Sequence, residues 1–306
     1  MTDINFYNEN PLVSIVVITY NSEKYILETL KSIYNQTYKN IELIISDDNS
    51  KDSTVQICQE WVFQHQERFV NTHILTTNKN TGVAGNLNRG ISKASGIWIK
   101  SIAGDDILLP IAIESYTKYT TKQKCQLYLA QLKCFGEDKK KTSLVQKIVD
   151  MMWLELVNID PQKQYITSLK KHIIPGPGIF YSKDLWKRIG GFDENYPFSE
   201  ELAFENKALK LTNVYCIPEC LVNYRIHPNS LSASEFTISY ISDRDYFINV
   251  KQYLLLKNKL YLEWWHQSIC YIIKHKAYTK SKLYPYIKLL LLLSPLYIIR
   301  KISRKR

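Results

Sequence analysis

The sequence predicts an α/β fold, a mostly parallel sheet flanked by helices and followed by a helical C-terminal segment. Apolar, β-branched runs of strand length alternate with stretches of helical periodicity as far as Thr120, the pattern of a parallel sheet with right-handed crossovers. Two acid pairs, Asp47-Asp48 and Asp105-Asp106, each follow such a run. They therefore fall at strand carboxyl ends, where open α/β sheets collect ligands. From Ser239 to Tyr278, aromatic and long side chains recur at helical spacing.

The elements follow in order. Residues 12–19 read as a buried first strand, and Ser22 to Tyr34 as a helix whose stripe is Tyr25, Ile26, Thr29, Leu30 and Ile33. Residues 41–46 form the second strand, Asp52 to Phe69 a helix, and His73 to Thr76 a third strand. A helix lies within Asn80 to Ala94 after a glycine turn, and the strand 97–102 leads to Gly104-Asp105-Asp106. Pro110 permits a helix start, with Ile111 running toward Thr120. Beyond it the pattern is less legible: Leu127 to Leu132 reads as a strand, and Lys139-Lys140-Lys141 as a solvated turn. Pro175-Gly176-Pro177-Gly178 is a loop. Asp184 to Ile189 is a short helix stopped by Gly190-Gly191, and residues after Leu202 are helical to about Lys210. Tyr224 to His227 closes a strand before Pro228.

The net charge of +11 is uneven: Lys274 to Arg306 holds ten Lys and Arg and no acid, leaving the rest at +1. A nucleic-acid-binding surface on the body is thereby excluded as the default. Six cysteines are scattered without a Cys-x-x-Cys pair, and Met1 to Asn10 is polar, carrying Asp3 and Glu9. Both point to a thiol-reducing cytosol without a secretory leader. No Gly-x-Gly-x-x-Gly turn follows the first strand, nor is there a phosphate-cradling Gly-x-x-x-x-Gly-Lys-Ser/Thr loop.

Six motifs occur in a telling order. They are Val13 to Asn21, Asp47-Asp48-Asn49-Ser50, Asn80-Thr81-Gly82 through Asn88-Arg89-Gly90, Gly104-Asp105-Asp106, Gly190-Gly191-Phe192-Asp193-Glu194 with Glu200-Glu201, and Tyr224-Arg225-Ile226-His227. Over roughly residues 11–232 the chain resembles family 2 glycosyltransferases of the bacterial cell-surface polysaccharide type. The resemblance implies a GT-A-like, Rossmann-type sheet in residues 11–235, with a nucleotide-sugar half at 11–110 and an acceptor half at 111–235. It implies inverting transfer from a nucleoside-diphosphate sugar, UDP-linked by preference, to a glycan or lipid-linked acceptor.

The same resemblance assigns roles. Thr19, Tyr20, Asn21, Asp47, Asp48, Asn80, Gly82, Asn88, Asp105 and Arg225 would contact the nucleotide sugar. Asp105, Asp106 and His227 would hold Mg²⁺ or Mn²⁺, hard ions that bind through one or two carboxylates plus substrate phosphates. Gly191, Phe192 and Glu200 would lie on the acceptor side, and Glu201 would deprotonate the acceptor hydroxyl. Plainer readings stand beside these. Thr-Tyr-Asn alone is an ordinary turn, an Asp before Pro110 can cap a helix, and Glu200-Glu201 can complement a helix macrodipole. An isolated His is often structural, and Arg89 reads as part of a solvated helix face. The chain departs from the family with Ala103 where many members have Asp, with Leu87 for Arg, and with Glu201 for Asp. A sugar nucleotidyltransferase and a catalytically silent nucleotide-sugar-binding scaffold are the alternatives.

The C-terminal segment 236–306 is read as helical and basic. Leu283 to Ile299 is apolar but interrupted by Pro285, Lys288 and Pro295, short of the ~20 residues a spanning helix needs. It fits an in-plane anchor on an anionic membrane, at the inner face of the cytoplasmic membrane. The alternative is a terminal helix packed on the body.

Overall fold

The computed structural model describes residues 10–196, 200–228 and 246–274. The polar N-terminal stretch and the basic tail from 275 onward lie outside the described residues. Residues up to Ser168 and from His172 onward to the masked segment form one compact unit. Leu169–Lys171 group with the C-terminal helices Gln252–Lys257 and Tyr261–Lys274 in a second. Among the described residues no helix is long and apolar enough to cross a membrane.

The first unit is built on an eight-stranded sheet in the order β3-β2-β1-β4-β7-β6-β8-β5. Strands β1 (Val13–Thr19), β2 (Ile41–Asp47), β3 (Asn71–Leu75) and β4 (Trp98–Ala103) are parallel. Helices α1 (Ile26–Tyr34), α2 (Thr54–His65) and α3 (Gly82–Lys93) connect them. Every residue of β2 is buried, as expected of a parallel strand covered on both faces.

The second half is mixed. Strand β7 (Ile179–Ser182) runs antiparallel to both β4 and β6 (Leu127–Phe135). Strand β8 (Val214–Arg225) runs parallel to β6, and the short β5 (Ile107–Leu108) closes the edge antiparallel to β8. Pairing between β6 and β8 shifts register near Ala130 and Gln131, and Pro218, which has no N–H to give the ladder, falls at this irregularity.

Several boundaries differ from the sequence reading. Helix α1 starts at Ile26 because residues 22–25 form a turn, with Tyr25 and Ile26 N–H both donating to Ser22 O at 2.9 Å. Lys139-Lys140-Lys141 is not a turn but the first turn of α5 (Lys139–Val157), capped by the Asp138 carboxylate, which accepts from Lys141 N at 3.0 Å. Helix α4 (Ala112–Lys122) follows Pro110, α6 spans Gln164–Lys170, α7 (Lys183–Arg188) ends at the glycine pair, and α8 (Glu200–Leu209) carries both glutamates in its first turn. The Pro-Gly-Pro-Gly stretch makes a single 3₁₀ turn over Gly176–Gly178.

Register places the ligand crevice. Thr19 pairs with Asp47 and Ile18 with Ala103. The carboxyl ends of β1, β2 and β4 therefore finish level, with Asp47, Asp48, Asp105 and Asp106 at one edge.

Candidate active site

At the end of β2 the two acids turn opposite ways. Asp47 accepts from Thr19 Oγ1 at 2.8 Å and from Ser50 Oγ at 2.5 Å through Oδ1, and from Ser50 N at 2.8 Å through Oδ2. Asn21 ties into the same loop: its N–H donates to Ser50 Oγ and its Oδ1 accepts from Lys51 N, both at 2.8 Å. Asp48 faces the start of α3. It accepts from Thr81 N and Gly82 N at 2.8 Å, from Thr81 Oγ1 at 2.6 Å, and from Arg89 Nη2 at 2.9 Å. Arg89 is therefore no solvated helix residue. It is the counter-ion of a buried carboxylate and also donates to Asp47 O and Asn86 Oδ1. The cause is the close approach of α3 to the end of β2, which periodicity along one helix does not reveal. Tyr20, half exposed, stands at the mouth of this loop.

Asn88 ties α3 to the loop that carries Phe192. Asn88 Oδ1 accepts from Phe192 N, and its Nδ2 donates to Phe192 O, both at 2.9 Å, and to Glu194 Oε1 at 2.8 Å. Gly191 has φ +74, and a Cβ there would crowd Asn88 Oδ1, so the glycine is needed twice over. The Phe192 ring is buried and stacks on Phe204 at 4.7 Å. Asn80 Oδ1 accepts from Gly82 N at 3.0 Å, fixing the glycine turn.

At the end of β4 the second acid pair also divides. Asp106 is 1 % exposed, and its Oδ1 accepts from Arg225 N at 2.9 Å. Burial, then the Asp105 charge, push its carboxyl well above the usual range. The expectation of an exposed carboxylate at Asp106 is thus corrected: Gly104 and Asp105 form a turn after β4, and Asp106 points inward from it to Arg225 N. Asp105 meets His227, Oδ2 to Nε2, at 2.8 Å. Arg225 Nε donates to Asp105 O and its Nη2 to Glu28 Oε2, each at 2.7 Å, with the guanidinium between the Tyr25 and Phe135 rings at 4.5 and 4.4 Å. The Tyr25 ring also lies 4.9 Å from the His227 ring. The structure therefore brings Asp105, His227 and Arg225 into one cluster, with Arg225 paired to Glu28.

Glu201 occupies a seat of its own, 46 % exposed at its side chain. His172 lies between two carboxylates, with Nδ1 2.7 Å from Glu205 Oε2 and Nε2 3.6 Å from Glu201 Oε2. Glu205 is buried and accepts from Ile173 N at 3.1 Å and Ile174 N at 2.9 Å. A Cβ on Gly176 would overlap the Glu201 carboxylate. The loop bearing Gly176 is held by Lys100, buried in β4, whose Nζ donates to Pro177 O at 2.7 Å, Ser101 O at 2.9 Å and Ile179 O at 3.2 Å. Tyr116 Oη adds a 2.7 Å bond to Gly178 O. Burial brings Lys100 down to about 7, with the Asp106 charge acting against that shift.

A model of glycosyl transferase family 2 matches residues 14–190, more than half of the sequence. The chain belongs to glycosyltransferase family 2. It is 28 % identical over 239 residues to an uncharacterized glycosyltransferase of Haemophilus influenzae, covering 73 % of this chain and 68 % of that one. It is 26 % identical to the glycosyltransferase GlyG of Streptococcus pneumoniae, covering 76 % of each. To the putative teichuronic acid biosynthesis glycosyltransferase TuaG of Bacillus subtilis it is 24 % identical, covering 75 % and 84 %. Two further relatives, from Rickettsia, are matched over 65 % and 66 % of their length, so the chain spans about two thirds of those proteins. Among solved structures it resembles S. aureus TarS in complex with UDP-GlcNAc, with TM-score 0.59, 17 % identity and coverage of 96 % and 92 %. It also resembles the mannosyltransferase PcManGT of Pyrobaculum calidifontis, in complex with GDP-Man and Mn²⁺, with TM-score 0.50, 16 % identity and coverage of 93 % and 70 %. These likenesses establish the GT-A-like fold of this family 2 member.

The family fold implies a divalent ion, and the donor set can be tested for it. Among the described residues no group of three or more His, Cys, Asp and Glu could hold a metal. Two donors, Asp105 and His227, do adjoin at the strand-end surface. That set fits Mg²⁺ or Mn²⁺ if the remaining coordination comes from diphosphate and water, the usual arrangement for such ions.

Sequence reasoning missed His172, Gly176 and Lys100. A lysine within the apolar run 97–102 was the available signal for the last. His172 is testable. Burial opposes its charge, but Glu205 and then Glu201 raise it to about 10. Its stabilising effect is fully present below the unfolded histidine value of about 6.5 and is lost as pH rises through about 10. Lys100, lowered on folding, gives the opposite slope above about 7, so the check must be site-resolved. In an NMR titration of the ring protons His172 should titrate far above an ordinary histidine, and Glu205→Gln should bring it down. Titration of His172 in the ordinary range would refute the two-carboxylate seat.

Proposed function

We propose that the protein transfers a sugar, with inversion, from a UDP-sugar to a hydroxyl of a glycan or lipid-linked acceptor in cell-surface polysaccharide synthesis. The observation that carries this reading is the Asp105–His227 pair, 2.8 Å apart and partly exposed at the end of the sheet. It stands beside the loop that Asp47 organises with Thr19 and Asn21. UDP-GlcNAc and GDP-Man in the complexes of the structural relatives support a nucleotide-sugar donor. The relative TuaG, named for teichuronic acid biosynthesis, supports the cell-surface setting.

The nucleoside rests on the Thr19-Tyr20-Asn21 loop, which the buried Asp47 holds in shape through Thr19 and Ser50, with Tyr20 offering a ring face. Asp105 and His227 would hold the Mg²⁺ or Mn²⁺, which supplies Lewis-acid stabilisation of the charge on the departing diphosphate. Arg225 turns from Glu28 to diphosphate oxygens through charge-assisted hydrogen bonds. The acceptor hydroxyl gives its proton to Glu201 as its oxygen bonds to the anomeric carbon. The bond from that carbon to the diphosphate oxygen breaks, UDP leaves with the electron pair, and attack opposite the leaving group inverts the centre. The basic tail would hold the enzyme peripherally on the inner face of the cytoplasmic membrane.

The test is a panel of nucleotide sugars with Mn²⁺, scored for slow UDP release and thermal stabilisation. One UDP-sugar should stand out, since a ligand at ~100 times its dissociation constant adds about 2.7 kcal/mol. Pyrophosphate released from UTP and a sugar 1-phosphate would instead identify a nucleotidyltransferase, and silence in both assays a binding scaffold.

A further inference from the structure

Strand β6 outruns its neighbour. β7 pairs with it only along Leu127–Leu129, while β6 continues to Phe135. Helix α5 closes the edge left over. Gln146 Oε1 accepts from Cys134 N at 2.6 Å, and its Nε2 donates to Leu132 O at 3.2 Å and to Asp150 Oδ1 at 2.8 Å. A side chain standing in for a strand leaves a recess between α5 and the loop ahead of β7. Ala130, Leu132, Val149 and Pro175 line it and are buried. Gln131, Asp150 and Trp153 complete the lining and are partly or fully exposed. The recess therefore has an apolar floor and a polar, aromatic rim, with room for about one water-sized group.

Two observations single it out. Gln131 stands at the register shift between β6 and β8, and bulges of this kind re-aim a side chain and are frequent beside active sites. Pro175 leads into Gly176, where the Glu201 carboxylate lies so close that a Cβ would overlap it. Lys100 Nζ braces the same loop through Pro177 O at 2.7 Å. One fixed loop thus walls the recess on one side and seats the proposed base beside it.

The chemistry of the lining selects a ligand group. An acetamido group carries a small apolar methyl, an N–H donor and a carbonyl acceptor. The methyl suits the floor. The Asp150 carboxylate, acceptor only and held by Gln146 through one oxygen, suits the N–H, and the Gln131 amide can donate to the carbonyl. Trp153 supplies aromatic surface for the C–H groups of a pyranose ring. A hydroxymethyl group would bury an unpaired hydroxyl on the floor, and a uronate would meet Asp150 as a like charge. A bare methyl would leave the rim unused. We propose that the recess between α5 and the 175–178 loop is an acceptor subsite that reads the acetamido group of an N-acetylated sugar. The inference rests on the reading above only in calling that sugar the acceptor, because the neighbouring Glu201 is the proposed base.

The test is saturation-transfer NMR on the full chain without donor. The probes are the methyl β-glycosides of N-acetylglucosamine, N-acetylgalactosamine, glucose and galactose, with methyl rhamnoside as the deoxy sugar. One N-acetyl sugar should bind about tenfold more tightly than its parent, with its acetyl methyl the most strongly saturated group. Asp150→Ala should weaken that binding by about tenfold and Gln131→Leu by about fivefold. Met151→Ala, on the outer apolar face of α5 with the exposed Leu144, Ile148 and Leu154, should leave it unchanged. Unchanged melting temperatures would show that the variants fold. An N-acetyl sugar that binds no better than its parent would overturn the proposal. So would a preference for the rhamnoside, or an N-acetyl preference that survives both Asp150→Ala and Gln131→Leu. UDP binding is titrated separately on the same proteins and should not change. Loss of sugar binding with UDP binding kept locates the subsite. A wild type that binds the N-acetyl sugar but no UDP would leave the subsite standing and overturn the donor reading instead.

Discussion

Asp105→Asn is expected to remove Mn²⁺-stimulated UDP binding and to lower kcat/KM by at least about a hundredfold, some 2.7 kcal/mol of lost stabilisation. Its melting temperature should barely move. The side chain is partly exposed, and an amide oxygen can still accept from His227, so what is lost is charge. Asp106→Ala should do something else. Asp106 is buried and accepts from Arg225 N, so its removal leaves a donor unpaired and should destabilise the fold by about 1–3 kcal/mol. Isothermal titration with UDP, with and without Mn²⁺, beside thermal melts of both variants, separates the two roles. Unchanged Mn²⁺ dependence in Asp105→Asn would remove Asp105 from the metal assignment.

This contrast also shows how far the sequence could be read. The parallel half of the sheet and the position of both acid pairs followed from apolar runs ending in Asp-Asp. Which acid of a pair is turned outward did not, because Asp105 lies in the turn after β4, where strand alternation no longer applies. Asp47 and Asp48 part toward different loops just as Asp105 and Asp106 part toward surface and interior. Arg89 was illegible for a different reason, because its partner Asp48 lies 41 residues earlier and becomes a neighbour only when α3 packs. The region 122–171 resisted reading because α5 is apolar on both faces, which blurs the one-sided periodicity that marks a surface helix.

The seat of Glu201 is the part of the site that depends most on long-range contacts. Helix α8 presents the glutamate, β4 contributes Lys100, and the loop between them supplies His172 and Gly176. None of these is near another in sequence except His172 and Gly176. A carboxylate held this way can be moved without being removed. Gly176→Ala would push a methyl group into the Glu201 carboxylate, and Lys100→Met would leave the carbonyls of Pro177, Ser101 and Ile179 without their buried donor. Both should impair turnover through the position of Glu201.

Glu201→Gln should act on chemistry alone. The amide keeps the shape of the side chain and can still accept a hydrogen bond, but it cannot take a proton from the acceptor. General-base catalysis contributes about a hundred- to ten-thousand-fold, so kcat for transfer should fall at least a hundredfold while UDP-sugar binding stays within about twofold of wild type. Because the glutamate is half exposed, the fold should be unaffected and the melting temperature close to wild type. Steady-state transfer assays with the donor found in the nucleotide-sugar panel, paired with donor titration, give both numbers. Turnover near the wild-type rate would exclude Glu201 as the base and shift attention to Glu200, its neighbour in the same helical turn. Lost donor binding at retained stability would instead place Glu201 against the donor sugar, so the split between kcat and donor affinity decides which side of the reaction this carboxylate serves.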